Sequence, residues 1–144
     1  MNHRILILAL SLITIETFAQ SVVGKWKTID DNTGKARSIV EIYEKDARYF
    51  GKIVKIYFEP GDDTDPICDL CSDDRKDQKI IGMEIIRDMK FNAKTNELSG
   101  GEILDPEEGK LYDCKIWTDE DGSLNVRGYL YFFFRTQTWL KFDE

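Results

Sequence analysis

Residues 100–139 constrain the fold more than any other part of the sequence. They form short runs rich in aromatic and β-branched residues, separated by acidic turns that contain glycine at 105–109 and 119–122. Apolar runs bounded by Gly, Asp and Pro in this way are typical of successive β-hairpins. Successive hairpins in a chain of 144 residues predict an all-β barrel or sandwich.

The same pattern extends over the rest of the chain from residue 24 onward. We predict eight strands, at residues 24–29, 37–44, 48–58, 79–89, 97–104, 110–118, 124–130 and 134–142. The fourth is the least regular, because its isoleucines favour a strand whereas its charged residues would tolerate a helical turn. Consecutive short antiparallel strands predict a single up-and-down barrel, which leaves no exposed sheet edge. A closed barrel of eight strands is filled by its own side chains or holds one small ligand.

The first 19 residues have the pattern of a secretory signal peptide. His3 and Arg4 precede a nearly unbroken apolar run at 5–13 and a Thr-Phe-Ala cleavage site that ends at Ala19. The alternative, a membrane anchor, requires an apolar run of about 20 residues. We therefore expect residues 1–19 to be a signal peptide and residues 20–144 to form one barrel domain. The protein is expected to be periplasmic or secreted, with no membrane insertion after cleavage.

Charge and composition exclude several classes of function. The net charge of −7 argues against nucleic acid as a partner, because nucleic-acid binding rewards clustered lysine and arginine. The single histidine of the sequence is His3, which leaves with the signal peptide. The remaining chain then has no histidine base, no serine–histidine pair and no imidazole ligand for a metal. We expect no enzyme activity, no catalytic residue, no cofactor and no metal site.

The cysteines offer the sharpest chemical motif. Cys68 and Cys71 form a C-x-x-C in an acidic loop, and in an oxidising compartment two thiols this close usually form a disulfide. Chain entropy alone would favour a longer bridge to Cys114, about 4 kcal/mol against about 2 kcal/mol. Cys114, however, alternates with Tyr112 and Ile116 as a buried residue would. We predict a Cys68–Cys71 disulfide with Cys114 free, and keep a thiol-redox or metal role of the loop as an alternative.

The last two strands carry the candidate ligand-binding residues. Arginine and tyrosine share one face of the seventh strand, and arginine, glutamine and tryptophan share one face of the eighth. If both faces point inward, polar donors lie in an apolar cup that would hold a small, partly apolar molecule. Alternatively, Arg135 only stacks on Trp26 and plugs the barrel. The predicted ligand-binding residues are Trp26, Tyr112, Arg127, Tyr129, Arg135 and Trp139.

Two resemblances support this interpretation. The Gly24-x-Trp26 pattern with a late arginine is similar to lipocalins, in which the tryptophan closes one barrel end and the arginine packs across it. The segments GKWKTIDDNTGKARSIVEIYE from Gly24, CDLC from Cys68 and VRGYLYFFFRTQTW from Val126 resemble a bacterial secreted family, the domain of unknown function numbered 2147. This resemblance implies an extracytoplasmic lipocalin-like barrel without an established activity. A cell-envelope protein with a packed barrel that works through its surface remains the alternative to a ligand-binding barrel.

Overall fold

Residues 22–144, which the computed structural model describes, form a closed antiparallel barrel. The eight strands are β1 (Gly24–Ile29), β2 (Ala36–Lys45), β3 (Arg48–Ile56), β4 (Glu84–Asn92), β5 (Glu97–Asp105), β6 (Lys110–Thr118), β7 (Leu124–Leu130) and β8 (Phe133–Lys141). Each strand pairs with its neighbour in the chain, and β1 pairs with β8 to close the barrel. The predicted all-β, up-and-down barrel of eight strands is therefore confirmed. The predicted signal peptide lies outside the described residues.

Seven strands begin and end within two residues of the predicted bounds, whereas β4 is displaced. The prediction began this strand at residue 79, but the structure begins it at Glu84. Gly82 adopts a left-handed backbone (φ 90°), and its N–H donates to the Ile53 carbonyl at 2.6 Å. This turn ends the preceding loop, so Ile80 serves as a buried loop residue rather than a strand residue.

The two ends of the barrel differ in their connections. Short turns join β2 to β3, β4 to β5 and β6 to β7 at one end, here called the closed end. The other end, called the open end, carries the β1–β2 loop, the long loop at residues 57–83, the β5–β6 turn and the β7–β8 turn. Buried side chains fill the closed half, among them Trp26, Val40, Ile42, Ile86, Met89, Leu98, Ile116 and Leu124. Apolar burial of this kind is the main stabilising contribution to the fold.

Pairing of β7 with β8 decides which side chains enter the barrel. A two-residue turn joins the strands, so Leu130 lies opposite Phe133 and Gly128 lies opposite Arg135. Residues directly opposite in an antiparallel pair share a face, and the face alternates along each strand. Val126 and Trp139 are buried on the inner face. Arg127 is therefore on the outer face, with Thr136 as its partner.

Candidate functional site

A cavity of about 1080 Å³ occupies the open half of the barrel. Its volume is slightly above the range of about 300–1,000 Å³ that is typical of small-molecule sites. Apolar side chains form much of its wall: Ile53, Ile56, Ile85, Ile103, Val126, Leu130 and Trp139. Gly128 also lies on the wall, against the side chain of Tyr112, so that a Cβ at this position would lie 3.3 Å from Tyr112 Cβ. The structure thus has an accessible, largely apolar cup rather than a barrel filled along its whole length.

Tryptophan closes the cup toward the closed end. Trp139 lines the cavity and is 2% exposed, and its indole N–H donates to Gln137 Oε1 at 3.2 Å. Trp26 lies two residues nearer the closed end by strand pairing and is 1% exposed. Its indole N–H donates to the Val22 carbonyl at 2.9 Å. Both indole donors are therefore satisfied within the protein, and the floor offers ring surface to a ligand.

A buried pair of hydroxyls adds polarity to one wall. Thr28 Oγ1 and Ser38 Oγ are 2.7 Å apart, and the Ser38 backbone N–H donates to Thr28 Oγ1 at 3.0 Å. Both residues are less than 9% exposed and line the cavity. A hydroxyl has one donor and two acceptor positions. The pair therefore keeps acceptor capacity for a ligand that carries an N–H or O–H group.

Charged side chains surround the mouth, and acidic ones predominate. Six carboxylates and three cations line the cavity: Asp30, Glu59, Asp62, Asp63, Asp105 and Glu107 against Lys35, Arg37 and Arg135. Hydrogen bonds from the backbone and side chain of Thr33 hold the pKa of Asp30 below its usual value. Because carboxylates outnumber cations by six to three, the mouth has a negative formal charge.

Each of the three cations at the mouth is already paired with a carboxylate. Arg135 donates from Nε to Asp31 Oδ2 at 2.9 Å. Lys35 Nζ lies 2.9 Å from Glu59 Oε1. Arg37 contacts both Asp30 and Glu107. An anionic ligand would have to compete with these internal carboxylates, whereas a neutral or cationic group would not.

The structure brings three of the predicted binding residues to the cavity. Tyr112, Arg135 and Trp139 line it, and Trp26 lies beneath its floor. The expectation that Arg135 stacks on Trp26 is wrong, because Arg135 is at the mouth with its guanidinium on Asp31. Lys141 takes that position instead, with Nζ 5.9 Å from the centre of the Trp26 ring.

The expected inward placement of Arg127 and Tyr129 is also wrong. Pairing of Gly128 with Arg135 puts both on the outer surface. Arg127 donates from Nε to Thr136 Oγ1 at 2.6 Å, and its guanidinium lies 4.5 Å from the Phe134 ring. The ring of Tyr129 packs against the same phenylalanine, 6.0 Å between centres. The prediction paired the polar face of β7 with the polar face of β8, although these faces are on opposite sides of the sheet.

The cysteine loop forms part of the cavity wall. Cys68 and Cys71 are joined in a disulfide, and Cys114 is free and buried, as predicted. Burial raises the pKa of the Cys114 thiol to about 12. Within residues 22–144, no group of three or more His, Cys, Asp or Glu side chains is arranged to hold a metal ion. Pro66 and Ile80 of the same loop line the cavity.

A buried arginine that sequence reasoning missed holds this loop on the barrel. Arg75 is 3% exposed and donates to both carboxylate oxygens of Asp73 and, at 2.9 Å, to the Glu84 carbonyl. These bonds keep the pKa of Asp73 at about 2. The loop also touches the β5–β6 turn, where a side chain in place of Gly109 would lie 2.1 Å from the Leu70 carbonyl oxygen. The arginine two residues after Asp73 was the available signal.

Comparison with known proteins places this barrel in a family. A family model described as an uncharacterized protein conserved in bacteria (DUF2147) matches residues 24–141. The chain belongs to this family. The match spans all eight strands, so the family corresponds to the whole barrel. No curated protein matches the sequence.

A solved structure has the same fold as this family member. It is described as protein HP1028 from the human pathogen Helicobacter pylori, which belongs to the lipocalin family. The TM-score is 0.70 with 16% sequence identity, over 85% of this chain and 84% of that chain. At this identity the likeness concerns the fold. Among residues 22–144 there is no helix of the length and apolarity needed to cross a bilayer.

Proposed function

We propose that this protein is an extracytoplasmic binding protein that holds a small, partly apolar molecule in the open half of its barrel. The observation that carries the proposal is the cavity of about 1080 Å³, apolar on its walls and floor and polar at its mouth. An apolar cup with few polar groups is the usual form of a small-molecule site. The Cys68–Cys71 disulfide and the bacterial family are compatible with an extracytoplasmic location.

The charges at the mouth indicate the polar end of the ligand. Carboxylates outnumber cations, and each cation is bound to a carboxylate of the protein. The Thr28 and Ser38 hydroxyls retain acceptor capacity inside the cup. A neutral or cationic ligand with an N–H or O–H donor fits this arrangement better than a carboxylate or phosphate. Arg127, a predicted binding residue, does not supply a cation to the cup, because it is on the outer surface.

The cavity supports ligand binding rather than catalysis. The wall residues are mainly apolar, and the cysteines that could have served a thiol reaction are paired or buried. The cavity also disfavours the alternative of a barrel packed solid with side chains. We therefore infer a carrier or buffer of its ligand rather than an enzyme.

Two neighbouring positions on β7 allow a matched test. Gly128 faces the cavity, whereas Tyr129 faces outward. The change Gly128→Phe adds a ring on the cavity side of β7, where its Cβ would lie 3.3 Å from Tyr112 Cβ, so that Tyr112 must shift slightly. Tyr129→Trp adds bulk on the outer side instead. Titration with the neutral fluorophore N-phenyl-1-naphthylamine is expected to give saturable binding to the unmodified protein and to Tyr129→Trp. Gly128→Phe should weaken binding by about tenfold or more, since most of the apolar burial of one ring is lost.

The charge of the ligand is tested with the sulfonated analogue of the same fluorophore. 1-Anilinonaphthalene-8-sulfonate has the same rings and one negative charge. We expect it to bind at least about tenfold more weakly than the neutral probe, with a smaller difference at high salt. Equal binding of the two probes would refute the assigned polarity. Equal binding of the neutral probe to Gly128→Phe and to the unmodified protein would refute the cavity as the binding site.

A further inference from the structure

The β7–β8 turn exposes an unusual run of apolar residues. Residues 130–134, here called the aromatic tip, read Leu-Tyr-Phe-Phe-Phe. Tyr131, Phe132 and Phe133 are 92%, 98% and 80% exposed, and Phe134 is 62% exposed. An exposed apolar run of this length lowers the solubility of a protein. Such runs therefore usually mark a surface that binds a partner.

The turn is also poorly suited to its residues. Tyr131 has a left-handed backbone (φ 54°), which glycine or asparagine adopts far more easily than a bulky residue. Other turns of this barrel have glycine at such a position, as at Gly109 and Gly122. The chain therefore gives up favourable turn chemistry here and keeps an aromatic side chain, which indicates that the ring itself is needed.

Two cations lie on the outer wall beside the aromatic tip. The Arg127 guanidinium is 4.5 Å from the Phe134 ring, and Lys115 Nζ is 5.9 Å from the Tyr129 ring. Neither makes an ion pair with another residue of the described chain, in contrast to Arg135 at the mouth. Asp113, which pairs with Tyr129 across the strands, is the carboxylate on the same face. This face thus presents, next to exposed rings, cations without an ion-pair partner among residues 22–144.

The shape of the aromatic tip favours a membrane surface over a protein. Its four exposed aromatic side chains, which can bury about 150–250 Å² each, lie together at the end of one hairpin. A narrow hairpin end is convex and fits a deformable surface. Aromatic rings followed by cations match the layers of a bilayer, in which rings lie at the headgroup level and cations meet phosphates.

We propose that the aromatic tip docks the protein on a zwitterionic phospholipid surface, with Phe132 and Phe133 among the headgroups and Arg127 and Lys115 at the phosphates. A zwitterionic surface is specified because the net charge of −7 would be repelled by an anionic one. The proposal goes beyond ligand binding and does not require the cavity to be filled. It has a geometric consequence: Leu130, Phe133 and Phe134 also line the cavity, so docking turns the mouth toward the membrane.

Flotation with phosphatidylcholine vesicles tests the proposal. The protein is used as a bacterial host exports it, so that all variants share one N-terminus. We expect the unmodified protein to float with the vesicles, and Phe132→Ser/Phe133→Ser to bind at least about tenfold more weakly. The matched control is Leu140→Ser, which removes a side chain that is 47% exposed near the closed end. Leu140→Ser and Gly128→Phe should both float like the unmodified protein.

A second variant reports where the protein touches the vesicle. Phe132→Trp keeps an aromatic ring at the tip, and the fluorescence of the introduced indole should be quenched by brominated phosphatidylcholine. Trp26 and Trp139 are buried, and Trp117 is half-buried on the outer wall, so the unmodified protein, which has all three, supplies the background that is subtracted. Three outcomes would overturn the proposal: no flotation of the unmodified protein, flotation unaffected by the serine variant, or no more quenching in Phe132→Trp than in the unmodified protein. A dimer that the serine variant dissociates, without vesicle binding, would instead assign the tip to a second copy of the chain.

Discussion

Replacement of Trp26 by alanine tests whether this side chain anchors the closed end of the barrel. The ring is 1% exposed and lies in the core cluster with Val40 and Ile42. Removal of a buried aromatic ring costs about 3–5 kcal/mol. The lost N–H bond also leaves the Val22 carbonyl without its donor, a contribution of about 1 kcal/mol within that total. A domain with a free energy of unfolding of about 5–15 kcal/mol would lose a large part of its stability.

Urea unfolding of three variants separates these contributions. Trp26→Phe keeps most of the ring and loses the hydrogen bond, so we expect a loss of about 1–2 kcal/mol. Trp26→Ala should lose about 3–5 kcal/mol. The control is Trp117→Ala, because Trp117 is half-buried on the outer wall and contacts Arg127 at 5.0 Å, a contact of about 1 kcal/mol. A Trp26→Ala protein within about 1 kcal/mol of the unmodified protein would refute the reasoning that Trp26 closes the barrel.

Three further predictions concern the cysteines and the loop at 57–83. Burial raises the pKa of Cys114 from 9.0 to about 12, so the folded state keeps this proton longer than the unfolded state. The free energy of unfolding should therefore fall as pH rises from about 9 to 12, by up to about 1.4 kcal/mol per pH unit. The Cys114→Ala variant should lack this contribution to the pH dependence of stability. Equal pH dependence of the two proteins would contradict the burial effect. Arg75→Met should make the loop at least about tenfold more sensitive to thermolysin while the barrel stays folded, because the loop loses its hydrogen bonds to Asp73 and to the β4 backbone. An unchanged cleavage rate would show that these hydrogen bonds do not hold the loop. Cys68→Ala/Cys71→Ala should lower the free energy of unfolding in urea by about 2 kcal/mol, and a loss above about 4 kcal/mol would mean that the loop supports the whole barrel.

The strands could be predicted from sequence because their signals are local. Alternating apolar residues and turn residues lie within a few positions of one another, and β6 and β7 begin and end where predicted. The same alternation correctly assigned Cys114 to the interior. The predicted start of β4 was wrong because Ile80 and Ile81 are apolar without belonging to a strand. Ile80 is buried in the loop, where it forms part of the cavity wall.

The faces of β7 and β8 could not be matched because the pairing depends on the length of one turn. A turn of two residues at 131–132 sets Gly128 opposite Arg135. Tyr-Phe is not a usual pair for such a turn, so composition did not reveal it. A β-bulge had a similar effect on β3, where the pairing skips Val54 and both Lys52 and Lys55 lie on the outer side. Single-residue shifts of this kind reverse every later side chain.

Arg75 was missed for another reason. Its neighbours are charged, and a run of charges in a loop is usually solvated. Its burial depends on Asp73 and on the Glu84 carbonyl, which the fold brings to it from β4. Tertiary contacts, rather than local pattern, place this residue.

Native mass spectrometry tests the central claim, that the barrel binds a small molecule in its open half, most directly. The protein is exported by a bacterial host, purified without unfolding and measured before and after incubation with N-phenyl-1-naphthylamine. We predict one small molecule per chain, either retained from the host or taken up as the probe, which is lost on denaturation and absent from Gly128→Phe. A chain that has its bare mass in both samples would contradict the account.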